Sequence, residues 1–239
     1  MFSIFDDYKN LVVALSERED GPMKLSGNDL KDKAIIKNRK RFLNKLGIDI
    51  DSVVSAGLGH TNTVKIVTTQ NRGELILKTD GLATNEKNLF LSVTVADCLP
   101  IFLYDPEKEV VALIHGGWRN LAQNILASAA REFINNFGSR PETILAGIGP
   151  GISQCHFEVK EDVSVKFQQF LPETLKIKNG KMFLDLKKIV KLQLLNLGLK
   201  EKNIEINPEC TFCLIDKYFS YRRDHPTFPE TMLAVIGRK

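Results

Sequence analysis

Apolar residues recur along this chain with two different spacings, and the spacing separates predicted strands from predicted helices. Residues 89–95 read LFLSVTV, a run rich in β-branched residues that predicts a buried strand. Shorter apolar runs bounded by turn residues predict strands at 11–15, 53–55, 64–68, 74–78, 101–104, 110–114, 143–148, 204–206 and 232–236. The segments 16–29 and 80–84 lie between such runs and are predicted to be loops.

Four stretches have the period of an amphipathic helix. The clearest covers residues 121–137, where apolar residues fall on one face and Gly138 follows as a stop signal. Residues 32–46, followed by Gly47, predict another helix, and 161–170 and 186–197 predict two more. Because strands outnumber helices and do not alternate with them regularly, the pattern favours an α+β fold over a doubly wound sheet.

Composition and charge narrow the class of protein. The 239 residues are 43% hydrophobic and 26% charged, and no linker divides them, so one domain over 1–239 is expected. The net charge of +4 suits a small anionic ligand, but the basic residues are dispersed, so no nucleic-acid partner is expected. With no apolar run of 18 residues and no signal-peptide core in MFSIFDDYKN, we expect no membrane span and a cytoplasmic location.

The four cysteines, at positions 98, 155, 210 and 213, are expected to be free thiols in a reducing compartment. Cys210-x-x-Cys213 has no second pair of the same kind, so a structural zinc ribbon is not expected.

Cys98 and His115 are the first candidates for chemistry, because a predicted hairpin separates them. If Tyr104 pairs with Val110, Leu99 lies opposite His115 and Cys98 is one residue away, which brings the thiol and the imidazole within about 5–7 Å. Taken alone, a cysteine after a strand is usually a small buried hydrophobe, and a lone histidine usually satisfies a local hydrogen bond. Their proximity, beside Asp97 and the 116–119 segment GGWR, favours a functional site.

Several short motifs occur in an order that resembles the YfiH family, the laccase-domain or multicopper polyphenol oxidase-like proteins regarded as purine nucleoside phosphorylases. These are TVADCLP at 94–100, HGGWR at 115–119, GPGISQCHFEV at 149–159, CT at 210–211, FSYRRD at 219–224 and NR at 38–39. The resemblance extends over residues 11–236. Departures from the family pattern occur around Leu58 and Thr61, at Asn120 and near Glu230, which bear on local substrate contacts.

The resemblance implies a four-layer α/β/β/α fold with mixed sheets and a zinc ion held by His60, Cys98 and His115. It also implies phosphorolysis of adenosine, inosine and S-methyl-5′-thioadenosine to a free base and a ribose 1-phosphate, together with adenosine deamination. Two imidazoles and one thiolate suit zinc, and three protein ligands leave a fourth position open, as in catalytic sites. Copper is the less favoured alternative.

Phosphate requires an anion site, and guanidinium groups match its oxygens, so the candidates are Arg39, Arg119 and Arg222. Ser220 and Thr211 are candidates for a ribose hydroxyl. Asp97 either orients a metal-bound histidine or caps the turn that follows it. The glycine loop at 149–152 is a weak candidate for a phosphate cradle, since it lacks a recognised spacing.

Other functions remain open from the sequence. Cys98 as nucleophile and His115 as base would make a thiol hydrolase, which does not need His60. A copper-dependent polyphenol oxidase is disfavoured because the chain has only four histidines. If the departures abolish turnover, the chain is a binding module. The sequence is compatible with a monomer or a homodimer.

Overall fold

Strands predominate in the computed structural model, which describes residues 2–25 and 29–239. Over these residues the strands are β1 (Leu11–Leu15), β2 (Val53–Gly57), β3 (Val64–Ile66), β4 (Leu75–Leu77), β5 (Gly81–Thr84), β6 (Leu89–Val95), β7 (Leu99–Asp105), β8 (Val110–Gly116), β9 (Leu145–Ile148), β10 (Glu158–Val159), β11 (Leu175–Lys178), β12 (Lys181–Leu184), β13 (Ile204–Ile206) and β14 (Met232–Arg238). The helices there are α1 (Asp29–Lys45), α2 (Trp118–Ala122), α3 (Ile125–Phe137), α4 (Glu161–Ser164), α5 (Leu186–Asn196) and α6 (Tyr221–Asp224). The predicted α+β class is confirmed.

Two mixed sheets form the centre of the molecule. Sheet I has the order β1-β14-β6-β2-β4, with β2 parallel to its neighbours and β14 antiparallel to its own. Sheet II has the order β13-β9-β7-β8-β5-β3, in which β7 and β8 form an antiparallel hairpin. A third, smaller sheet is antiparallel, has the order β10-β12-β11 and is separate from the two mixed sheets.

The side chains that alternate along β14 and β7 show how the four layers are stacked. On β14, Leu233 and Val235 belong to the cluster that also contains residues of α1, whereas Ala234 belongs to the cluster between the two sheets. On β7, Phe102 joins the inter-sheet cluster, whereas Ile101 joins the cluster formed with α3 and α5. Since successive side chains on a strand point to opposite faces, the layer order is α1, sheet I, sheet II, then α3 and α5. This is the α/β/β/α arrangement that the family resemblance implied.

The helix predicted over 121–137 is in fact two helices. Asn124 has a left-handed backbone with φ 58°, which ends α2 and reorients the chain before α3. Gly138, at φ 65°, ends α3 as predicted. The helix predicted over 161–170 is also divided, into α4 and a 3₁₀ segment at Val165–Phe170. Apolar periodicity continues across both breaks, so it did not reveal them.

Four strands, β5, β10, β11 and β12, were not predicted from the sequence. Residues 80–84 were predicted as a loop, but Gly81–Thr84 is β5, which pairs with both β3 and β8. Strands β11 and β12 form a hairpin whose turn, Asn179-Gly180, has positive φ at both residues. Residues 26–28 of the predicted loop 16–29 lie outside the described residues.

No helix among the described residues has both the length and the apolar character needed to span a bilayer.

Candidate active site

A cavity of about 590 Å³ lies where the start of β7 and the end of β8 meet the loop after β2. It is bordered also by α1, α2 and α6, so segments that lie far apart along the chain contribute side chains. It brings together six of the residues predicted from the sequence to act on substrate or metal, namely Arg39, His60, Cys98, His115, Arg119 and Arg222.

The hairpin that carries Cys98 and His115 is shifted by one residue from the predicted register. Tyr104 pairs with Val111, and Pro100, rather than Leu99, lies opposite His115. Strand β7 extends through Asp105, which shortens the turn and shifts the pairing. The prediction of the register was therefore wrong, although the prediction of the hairpin was right.

Cys98 and His115 nevertheless meet. The two side chains converge on Gly117, where an added Cβ would lie 3.2 Å from Sγ of Cys98 and 3.4 Å from Cε1 of His115. Burial lowers the pKa of His115, but the Cys98 charge and hydrogen bonds to Asp80 and Cys98 raise it overall to about 9. His115 is 2% exposed, so its interactions are formed almost entirely within the protein.

Asp80 positions the part of the site that contains His115 and His60. The sequence placed Asp80 in a loop and gave it no role. Its Oδ1 accepts a hydrogen bond from Nδ1 of His115 at 3.0 Å, and its Oδ2 accepts from the backbone N–H groups of Gly59 and Thr61 and from the Thr61 hydroxyl. Burial works to raise the pKa of Asp80, but these hydrogen bonds hold it far below its ordinary value. One carboxylate thus positions both His115 and the loop that carries His60.

His60 is exposed and lies at the edge of the cavity, with a left-handed backbone at φ 55°. Its ring centroid is 5.5 Å from that of His115. Burial and the nearby His115 lower the pKa of His60, which favours its neutral form. Potential ligand atoms of His60, Asp80 and His115 all lie within 4.8 Å of one another, and Cys98 adjoins this group through its contact with His115.

Asn120, one of the departures from the family pattern, secures the loop around His60. It is fully buried, and its Nδ2 donates to the carbonyl of Thr61 at 2.6 Å. Gln123 donates to the carbonyl of His60 itself at 3.0 Å. The loop is therefore held from one side by Asp80 and from the other by α2 and the turn that follows it.

Asp97 does not hold a histidine, contrary to the first of its two predicted roles. Its carboxylate accepts hydrogen bonds from Thr211 Oγ1 at 2.6 Å, Ser220 Oγ at 3.0 Å and the backbone N–H of Arg222 at 2.7 Å. Ser220 and Thr211 are buried, and their hydroxyls bond to Asp97, so the structure does not support the predicted ribose contacts. Asp80 takes the histidine-orienting position instead.

The three candidate phosphate ligands differ in how rigidly they are held. Arg39 is 7% exposed and donates to the Met23 carbonyl and the Ser55 hydroxyl, and burial lowers its pKa to about 10. A guanidinium carries five N–H donors, so these bonds leave donor capacity for a ligand. Arg222 donates to the carbonyl of Glu158 at 2.9 Å, whereas Arg119 is exposed and stacks on Trp118 at 4.3 Å.

The glycine loop at 149–152 packs against the segment around Cys98, and Ile152 lines the cavity. An added Cβ at Gly151 would come within 2.5 Å of Leu99 Cδ2 and 2.9 Å of the Asp97 carbonyl. The backbone N–H of Ile152 donates to that same carbonyl, and the N–H of Gly149 donates to Pro100. These amides are occupied by the segment around Cys98, so the predicted phosphate cradle is not supported.

The fold and this constellation define the class of protein. Residues 22–239 match the family described as multi-copper polyphenol oxidoreductase laccase, and the chain belongs to that family. The resemblance to YfiH proteins is confirmed by the solved structures that it matches. The Bacillus licheniformis hypothetical protein YfiH has a TM-score of 0.91 at 29% identity, covering 98% of this chain and 95% of that one.

Curated relatives carry a more specific name. Purine nucleoside phosphorylase YlmD of Bacillus subtilis (strain 168) is 33% identical over 221 residues, which is 87% of this chain and 79% of that protein. The structure of YlmD from Geobacillus stearothermophilus has a TM-score of 0.91 at 29% identity and covers 98% of this chain and 94% of that one. Family membership therefore supports a nucleoside-processing enzyme.

Proposed function

We propose that this chain is a zinc-dependent purine nucleoside phosphorylase acting on adenosine, inosine and S-methyl-5′-thioadenosine. The observation that carries the proposal is the convergence of His60, Cys98 and His115 with candidate phosphate-binding arginines on one cavity. The cavity volume of about 590 Å³ lies within the range of roughly 300–1,000 Å³ typical of small-molecule sites. Relatives named purine nucleoside phosphorylase support the same assignment.

The donor set fits zinc. Asp80 fixes Nδ1 of His115, so the other ring nitrogen is the one that would bind the ion, as in carboxylate–histidine–zinc arrangements. Cys98, in contact with His115, and the His60 imidazole would complete a three-ligand set. When bound, zinc supplies Lewis acidity and lowers the pKa of a water at its open position.

The residues of the chain then account for phosphorolysis. Arg39 and Arg222 would bind the phosphate so that one of its oxygens faces C1′ of the ribose. That oxygen forms the new bond to C1′ as the bond to the purine nitrogen breaks, and the base leaves with the electron pair and takes up a proton. Trp118 and Phe157 supply apolar wall for the purine.

Adenosine deamination is a second activity within this proposal. Water adds at C6 of adenosine and ammonia leaves, which gives inosine. The family resemblance supports it, and the same cavity would have to hold the purine in a second position.

The direct test is incubation of the purified protein with inosine and phosphate. Hypoxanthine and ribose 1-phosphate should appear in equal amounts and only when phosphate is present. Inosine formation from adenosine without phosphate tests the deamination separately. A zinc-loaded protein that forms no ribose 1-phosphate from adenosine or inosine, and no 5-methylthioribose 1-phosphate from S-methyl-5′-thioadenosine, would show that the chain is not a phosphorylase.

A thiol hydrolase is the second candidate, because Cys98, His115 and Asp80 align as nucleophile, base and orienting carboxylate. Such an enzyme would work without metal. Activity toward an amide or ester that survives removal of metal by a chelator would support the hydrolase. Phosphorolysis that disappears with the metal and returns with zinc would support the phosphorylase.

Zinc affinity should increase with pH. In the metal-free protein His115 has a pKa of about 9, so at pH 7 the ion must displace its proton. The association constant should therefore rise by at least about tenfold per pH unit from pH 7 and flatten for this proton above about pH 9. The lowered pKa of His60 favours its neutral form, so His60 contributes less to the slope than His115 does. Competition with a chromophoric chelator measures this, and an affinity independent of pH would contradict it.

Asp80→Asn should weaken zinc binding by about 10–100-fold, the usual cost of losing a group that orients a metal-bound histidine. An amide cannot offer two acceptor oxygens, so His115 and the loop carrying His60 cannot both keep their hydrogen bonds. Zinc titration measures the change. Asp51→Asn, at an exposed position, is the control and should bind zinc as the wild type does.

A further inference from the structure

A second group of potential metal ligands lies apart from the residues used above. Sγ of Cys155 is 3.7 Å from Sγ of Cys210 and 3.8 Å from Sγ of Cys213. Nδ1 of His156 is 3.2 Å from Sγ of Cys155 and 3.3 Å from Sγ of Cys213. The proposed phosphorylase chemistry uses none of these four residues.

We propose that Cys155, His156, Cys210 and Cys213 form a structural zinc site. The expectation against a zinc ribbon assumed that a second C-x-x-C pair was needed. The structure supplies the partners differently, as a cysteine and a histidine adjacent in sequence and more than fifty residues away along the chain. Spatial proximity of this kind cannot be derived from the spacing around Cys210 alone.

The distances between the ligand atoms fit a tetrahedral zinc ion. With zinc–sulfur bonds of about 2.3 Å, two sulfurs on one tetrahedron are about 3.8 Å apart. With a zinc–nitrogen bond of about 2.0–2.1 Å, the nitrogen–sulfur separation is about 3.5 Å. The observed sulfur separations of 3.7 and 3.8 Å match, and the nitrogen separations of 3.2 and 3.3 Å are within a few tenths of an ångström.

A disulfide explains the arrangement less well. Bonded sulfurs are about 2.05 Å apart, and a disulfide uses two thiols. Here Cys155 is nearly equidistant from two other sulfurs, and an imidazole nitrogen also faces the group. All four ligand atoms lie within 4.8 Å of one another, which is what one shared ion requires.

Neighbouring groups prepare the site for thiolates. The backbone N–H of Ser153 donates to Sγ of Cys210 at 3.3 Å, and the ring of His156 stacks on Phe212 with centroids 4.0 Å apart. Lys187, 6% exposed, donates to two backbone carbonyls, one of them Glu209. It lies near enough to the cysteines for its positive charge to offset part of the negative charge of three thiolates.

With four protein ligands the coordination is closed, which is typical of structural zinc sites. The ion would join the segment after β9 to the segment between β13 and α6. Thr211, within the C-x-x-C pair, bonds to Asp97, and Phe157, next to His156, lines the cavity. The second site would therefore stabilise one wall of the active-site cavity without contacting substrate.

Metal analysis of Cys98→Ser tests this inference independently of the proposed function. That variant lacks a ligand of the cavity site but keeps all four ligands of the second site. The wild type should contain about two zinc ions per chain, Cys98→Ser about one, and the double variant Cys155→Ser/Cys213→Ser about one. Replacing zinc by cobalt(II) in Cys98→Ser should produce sulfur-to-cobalt charge-transfer absorption and the d–d bands of a tetrahedral site.

Thiol reactivity provides a readout that needs no variant of the second site to fold. In native wild-type protein the thiols of Cys155, Cys210 and Cys213 should be protected from a thiol reagent until a chelator removes the zinc. The inference would be overturned if purified Cys98→Ser contained no zinc and showed no cobalt–thiolate absorption after addition of cobalt(II). A disulfide between Cys155 and Cys210 or Cys213 in freshly purified protein would also overturn it. A phosphorylase assay that fails leaves these outcomes unchanged, so the two proposals can fail separately.

Discussion

Replacing His60 by asparagine is expected to lower kcat/KM for inosine phosphorolysis strongly and to prevent the cavity from holding the zinc ion proposed there. His60 lies at the cavity edge with its ring 5.5 Å from that of His115, and a catalytic zinc site needs three protein ligands. Losing a direct ligand should cost more than the 10–100-fold typical of a residue that only orients one. We therefore expect kcat/KM to fall by about 10³-fold, equivalent to about 4 kcal/mol of transition-state stabilisation.

His225→Asn is the matched control. His225 is also exposed and also has a left-handed backbone, at φ 42° compared with 55° for His60. Asparagine tolerates that conformation, so both substitutions should leave the backbone in place. Zinc content and inosine phosphorolysis should be unchanged in His225→Asn. Full phosphorolysis in His60→Asn would contradict the metal site. Loss of phosphorolysis in His60→Asn with unchanged metal-independent hydrolysis of an amide or ester would favour the Cys98–His115 hydrolase, which does not use a third imidazole.

The local pattern of apolar and polar residues was sufficient to predict most of the strands and helices. The strands β1, β6 and β13 have the bounds predicted from apolar runs, since each contributes side chains to a continuous core. The pairing of β7 with β8 was predicted too, because a polar turn separates two apolar runs. Its register was wrong by one residue, since the ladder continues to Asp105, a residue that the turn signal assigned to the loop.

The contacts that organise the site were not accessible from local pattern. Asp80 and His115 are 35 positions apart and meet only because β5 pairs with β8. A loop prediction for 80–84 concealed that pairing, although the sequence has a glycine and a short apolar run directly after Asp80. The same limit applies to Ser220 and Thr211, whose places in recognised motifs suggested substrate contacts. They contact Asp97 instead, more than a hundred residues away along the chain.

Asp97→Ala is expected to destabilise the protein by about 3–5 kcal/mol. The carboxylate accepts three hydrogen bonds, two of them from the buried hydroxyls of Thr211 and Ser220, and alanine would leave all three donors without their acceptor. Asp97 also has φ 79°, a conformation that aspartate tolerates better than alanine. For a chain of this length the loss corresponds to a fall in Tm of roughly 10 °C. Thermal and urea unfolding measure it.

Asp97→Asn distinguishes the stability lost with the hydrogen bonds from the stability lost with the volume of the side chain. Asparagine keeps one acceptor oxygen and the tolerance for a left-handed backbone, so it should lose about half as much stability as alanine. Asp7→Ala, at an exposed position, should stay within about 0.5 kcal/mol of the wild type. Since Asp97 holds the backbone of Arg222, KM for phosphate should rise in both Asp97 variants even where they are folded. An Asp97→Ala protein as stable as Asp7→Ala would show that this network does not hold α6 against the cavity.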